Sequence, residues 1–194
     1  MKTIFSLPTD IYKNRRLIFK LAKNDFKTRY AGSYLGIVWA FIQPVITILV
    51  YWFVFSVGFR SGTGDLGVPF VLYLVAGIVP WFFFQDALIG GTNSMLEYNY
   101  LVKKVVFNIS VLPVVKIISA LFVHCFFVLF TIILYAAYGK FPDVYYFQLI
   151  YYSICVFILV LGLSYATSAI VIFFRDLTQI INIALQVGIW LTPI

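Results

Sequence analysis

The chain has 194 residues, of which 63% are hydrophobic and 11% charged, whereas a soluble domain carries about a quarter charged residues. A chain of this size has too much surface to hide that apolar content in water, so composition excludes a soluble fold and predicts a polytopic membrane protein. The net charge is +7, but it gathers beside the first apolar block, which favours anionic lipid headgroups over nucleic acid as its partner.

Residues 1–35 form a prelude holding eight of the basic residues. Within it, Ile18, Ala22, Phe26 and Tyr30 recur at spacing four, while Arg16, Lys20, Lys23 and Lys27 fall on the other side. That spacing predicts an amphipathic helix over 13–30, lying in the headgroup plane with its apolar face down. Asp25 and Arg29 interrupt the apolar face. The basic stretch is too long for a secretory signal, and no short apolar run with a cleavage site follows it.

The first span is expected from Gly36 to Phe59, with Gln43-Pro44 a third of the way in and Trp39 and Trp52 near the two interfaces. A glycine-rich loop follows at residues 60–67. The second span is expected over 68–90, broken in its middle by Gly77-Ile78-Val79-Pro80-Trp81. Residues 91–106 turn polar and read as lying outside the membrane. A third span follows over 114–138 and a fourth over 147–173, with a turn at 138–143 between them. Gly162, Ser164, Ala166 and Ser168 give the fourth span a small-residue patch suited to close helix contact. Phe174-Arg175-Asp176-Leu177 ends it, and a fifth span begins near Ile180. The last residues, Trp190 to Ile194, stop inside an apolar stretch, so the natural chain is expected to continue.

With the N-terminus cytoplasmic, the inner side holds twelve of the basic residues and the outer loops only Arg60 and Lys140. The loops are short, so the positive-inside rule orients the protein that way. Four charges fall within or against the apolar blocks: Asp86, Lys116, Arg175 and Asp176. Each can sit near the inner interface and snorkel or pair locally. Arg175 and Asp176 are adjacent and suit a cytoplasmic turn. Cys125 and Cys155 read as small buried hydrophobes rather than a disulfide or metal pair. His124, within the third span, reads as a packing or lumen-facing group. There is no phosphate-cradling glycine loop, no metal-ligand set and no nucleophile–base pair, so no catalytic residue, metal or bound cofactor is expected on this chain. A proton-coupled carrier would place acids at mid-span, and spans one, three and four have none.

Three stretches resemble the transmembrane subunits of ABC-2 type exporters, of the branch that moves lipid-linked polysaccharide. The first is Asp25-Phe26-Lys27-Thr28-Arg29-Tyr30 with Ser33-Tyr34-Leu35-Gly36, Trp39 and Gln43-Pro44. The second is Gly77 to Trp81, then Asn99-Tyr100-Leu101-Val102-Lys103-Lys104 and Leu112-Pro113. The third is Phe174 to Leu177, then Leu191-Thr192-Pro193-Ile194. One departure is Phe107-Asn108, where such proteins usually have Phe-Pro.

The resemblance implies an all-α subunit: an N-terminal interface helix (residues 1–35) and a transmembrane domain (36–194) of six spans when complete, about four and a half of them present. It implies a homodimer in the cytoplasmic membrane with two separate ATPase subunits below, which would bind ATP and Mg. The segment with Glu97, Tyr98, Leu101, Lys103 and Lys104 would be the coupling helix seated on the ATPase. Lys27, Arg29, Tyr30 and Tyr34 would sit at the inner mouth of the path, where cations meet the phosphate of a lipid-linked glycan. Arg175-Asp176 would form an inner turn. The cargo is expected to be teichoic acid or an O-antigen or capsular glycan, the run Tyr51-Trp52-Phe53-Val54-Phe55 tilting towards teichoic acid. A small-lipid or drug exporter of the same fold is the alternative, though the eight-residue outer loop disfavours it. A non-ABC carrier or a structural membrane partner is the remaining one.

Overall fold

The computed structural model describes residues 11–58, 69–98, 109–141 and 143–192. Helix α1 runs Arg15–Arg29. A 3-10 turn at Gly36–Val38 opens α2, Trp39–Phe53, whose end widens into a π-helix at Val54–Gly58. Helix α3 runs Phe70–Glu97. A second 3-10 turn, Ile109–Val111, leads into α4, Leu112–Ala137. A third, Val144–Tyr146, leads into α5, Phe147–Val171, and α6 covers Leu177–Leu191.

Four stretches are long and apolar enough to cross a membrane: Gly36–Gly58, Phe70–Glu97, Ile109–Ala137 and Val144–Val171. The protein is all-α and multi-pass. Helices satisfy their own backbone polar groups, which is what a lipid environment demands. Large apolar side chains such as Leu129, Ile133, Ile154 and Ile158 point outward. Such exposure is costly in water and neutral against lipid tails.

Helix α3 is the central element. It packs chiefly on α4 and α5. Leu72, Val75, Ile78 and Ala87 along it are fully buried. Pro80 lies inside α3 and Pro44 inside α2, yet both helices continue through them. The break expected at Gly77–Trp81 is therefore absent. Each proline removes one backbone donor, and packing on neighbouring helices holds the rest of the helix in place.

Helix α3 is also longer than expected. Its 28 residues span ~42 Å at 1.5 Å per residue, against about 30 Å of hydrocarbon. Residues 91–97, expected outside the membrane, are its last turns. Their polarity serves helix contacts. The Thr92 and Thr167 hydroxyls lie 2.7 Å apart, and the Thr178 hydroxyl donates to Asn93 Oδ1 at 2.7 Å. A Cβ built on Gly91 would collide with the Ser164 side chain, so α3 and α5 meet here at the closest approach glycine permits. Of the small patch on α5, Ser164 and Ser168 are fully buried, while Gly162 and Ala166 are exposed. Only one face of that helix meets α3.

Helix α1 forms where expected, within two residues of 13–30, but its apolar face rests on protein. Ile18 and Ala22 pack with Val111, Val114 and Val115 at the start of α4. Its burial there is what lets Asp25 sit on the apolar side: the carboxylate is matched by a group on α4. Cys125 and Cys155 are exposed, which corrects the expectation that they are buried. On a span, an apolar residue can face lipid as readily as core.

Candidate functional site: an ion cluster beside an aromatic groove

At the end of the bundle that carries α1, five charged side chains from three helices converge. Asp25 of α1 is 5% exposed. Its Oδ1 accepts from Lys116 Nζ at 2.6 Å and from the Tyr98 hydroxyl at 2.8 Å. Lys116 of α4, itself buried, also pairs with Glu97 near the end of α3. Arg29, one turn beyond Asp25, places Nη1 2.8 Å from both oxygens of Asp86. Its Nη2 lies 3.6 Å from Asp25 Oδ2. Asp86 pairs with Arg29, and Lys116 with Asp25 and Glu97, so both are paired across helices rather than locally.

Burial alone pushes the Asp25 carboxyl up, yet the hydrogen bond and charge of Lys116, with help from Tyr98, bring it below its ordinary value. Burial alone would lower Arg29, and the neighbouring Asp86 carboxylate more than reverses that. Both groups stay charged at neutral pH. Helix α1 is thus bolted to the end of α3 and the start of α4.

Beside this cluster a groove of about 570 Å³ opens between α2, α3, α4 and α6. Aromatic walls come from Trp39 and Tyr51 of α2, Trp81 and Phe82 of α3, and Trp190 of α6. Between them stand the amides of Gln43, Gln85 and Gln186 and the Thr47 hydroxyl. Tyr30 lines it at the α1 end, and Asp86 forms part of the same wall. His124 also lines it, stacked on Phe83 with ring centroids 4.6 Å apart. Its Nε2 lies 3.1 Å from the Ser153 hydroxyl, so this histidine both packs helices and edges the lumen. Amides and rings interleaved this way offer stacking faces and hydrogen-bonding groups together, the chemistry that suits a polyhydroxylated ring.

The residues expected at the inner mouth do not all meet. Tyr30 lines the groove, and Arg29 reaches it only through Asp86. Lys27 is exposed on α1, and Tyr34 is fully exposed beyond it. Glu97 and Tyr98 of the expected coupling segment sit at the end of α3, tied to Lys116 and Asp25. Leu101, Lys103 and Lys104 lie outside the described residues. Arg175 and Asp176 occupy the exposed turn between α5 and α6. The groove glutamines were not singled out as wall groups in the sequence. The available signal was an amide within each of three apolar helices, Gln43, Gln85 and Gln186.

Comparison with known proteins agrees with this architecture. The family model for the ABC-2 type transporter matches residues 16–194. The chain is 31% identical over 194 residues to the O-antigen export system permease protein RfbA of Myxococcus xanthus, covering 97% of this chain and 71% of that protein. It is 26% identical over 181 residues to the protein of the same description from Klebsiella pneumoniae, covering 92% of this chain and 68% of that one. On a match across nearly its whole length, this chain belongs to the ABC-2 type transporter family.

Proposed function

We propose that the chain is the transmembrane subunit of an ATP-driven exporter of lipid-linked cell-surface polysaccharide. The observation that carries this is the groove, a membrane-embedded slot walled by aromatic rings and side-chain amides. A carrier of purely apolar molecules has no use for three glutamines in one wall, because an amide facing an apolar cargo loses its hydrogen bonds to water without replacement. The relatives' description as O-antigen export permeases supports the same cargo class.

Two copies would enclose the path between their grooves. Two ATPase subunits on the cytoplasmic side would bind ATP and Mg, and this chain would bind neither. The excess of basic residues on one side supports a cytoplasmic N-terminus in a multi-pass protein of the cytoplasmic membrane. The coupling segment around Glu97–Lys104 would meet the ATPase, and the Asp25, Lys116 and Glu97 contacts would pass its motion to α1 and α4. Energy from ATP must travel by such contacts, because the groove sees no nucleotide.

The test is reconstitution of the complete subunit with its ATPase in vesicles loaded with lipid-linked glycan. ATP should move the glycan across the bilayer, and a hydrolysis-dead ATPase should not. Glycan that stays in its leaflet while ATP is consumed would remove the proposal, and movement of small lipids alone would replace it with the drug-and-lipid alternative.

A further inference from the structure

The charge of the groove wall distinguishes between the cargo classes. Asp86 supplies the only charge of fixed sign among the described residues that line it, and that charge is negative. The remaining polar lining comes from neutral groups: Gln43, Thr47, Gln85, Gln186, the Tyr30 and Tyr51 hydroxyls, the tryptophan N–H groups and His124. The nearest cation described is Arg29, and it is committed. One guanidinium nitrogen holds both oxygens of Asp86 at 2.8 Å, and the other lies 3.6 Å from Asp25. Among the described residues, the cluster behind the wall holds three carboxylates, Asp25, Asp86 and Glu97, against two cations, Arg29 and Lys116. One negative charge is left in excess.

Resting on the export reading above, we propose that the groove selects an electrically neutral glycan and rejects polymers whose backbone carries phosphodiesters. A phosphate repeated along the chain would meet, at each step, a wall whose one carboxylate is already paired with Arg29 and which offers no free cation among its described residues. A neutral sugar meets what it needs: ring faces on Trp81 and Trp190, and amide donors and acceptors for its hydroxyls. Asp86 has a second part here. Arg29 fixes its carboxylate in the wall, and its remaining lone pairs can accept from a pair of adjacent sugar hydroxyls. Phosphate at the lipid anchor is a separate matter, since the exposed cations of α1, Lys27 among them, lie at the membrane surface rather than in the groove.

The experiment uses the complete subunit with its ATPase in proteoliposomes and two cargoes on one lipid diphosphate anchor: a neutral hexose polymer and a poly(glycerol phosphate) of similar length. The neutral polymer is expected to be exported at least tenfold faster. Gln85→Lys, and independently Gln43→Lys, should narrow that ratio by raising export of the phosphate polymer, in variants that assemble with the ATPase as the wild type does. Equal or faster export of the phosphate polymer by the wild type would overturn the proposal. So would lysine variants that assemble normally yet leave the ratio where it was. If neither cargo moves, the export reading itself fails.

Discussion

Lys116 of α4 reaches Asp25 of α1 with Nζ 2.6 Å from Oδ1, and both side chains are buried. The pair joins the surface helix to the bundle. It explains why a helix with lysines along one side still has a carboxylate on its apolar face. Losing one partner should be felt strongly, because a buried charge is then left without its counter-ion. Lys116→Met should lower stability by roughly 3–5 kcal/mol, read as thermal unfolding of the detergent-purified protein. Adding Asp25→Leu to it should recover much of that loss, since an apolar pair of similar volume often replaces a buried ion pair at little cost. A double variant that loses the sum of both single effects would show that the two side chains act independently.

The same pair sets a pH dependence. Asp25 titrates below its ordinary value when folded, while the unfolded carboxyl titrates near 3.9, by about the model-peptide value. Its stabilising contribution is therefore complete above about pH 4 and is lost as pH falls through the lower folded value. Unfolding followed between pH 7 and pH 3 should show stability falling at the acid end. Asp25→Asn should be less stable at neutral pH and should lose less of its stability on acidification. An unchanged acid slope in that variant would assign the titration to another carboxylate.

At the contact of α3 with α5, Gly91→Ala should disturb the packing, because the new Cβ meets the Ser164 side chain. Overpacking of this kind costs typically about 1–3 kcal/mol. Ser164→Gly should restore much of it by clearing the same space. Failure of that second change to rescue the first would mean that the helices separate elsewhere.

Cys125 and Cys155 face outward on α4 and α5. In membranes, an apolar maleimide that partitions into lipid should label both. A charged, impermeant maleimide should label neither, because the reagent does not enter hydrocarbon. Labelling of either by the charged reagent would place that residue on a water-filled surface.

The spans themselves were legible in the sequence, because an unbroken apolar run admits few alternatives in a membrane. The surface helix was legible from the spacing of Ile18, Ala22 and Phe26. Less legible was where the second span's helix ends. Thr92, Asn93 and Ser94, read as part of a separate short helix outside the membrane, are the last turns of α3 and bond within it or across to α5 and α6. The cysteines read as core, yet lipid accepts them equally. The members of the ion cluster were visible one by one, but Arg29 and Asp86 are 57 residues apart and Asp25 and Lys116 are 91. Pairing over such distances is set by how the helices pack, which local spacing does not encode. The groove was the least legible part, since its wall is assembled from four helices far apart in the chain.

The central claim is that glycan passes through this groove. A photoreactive phenylalanine analogue at Gln43, in the groove wall, should crosslink to radiolabelled lipid-linked glycan when the complete exporter turns over ATP in membranes. The same analogue at Ile158, an exposed position on α5 away from the groove, should not. Glycan captured at Gln43 alone, and only during turnover, is the predicted result. Equal capture at both positions, or capture only at Ile158, would contradict the account.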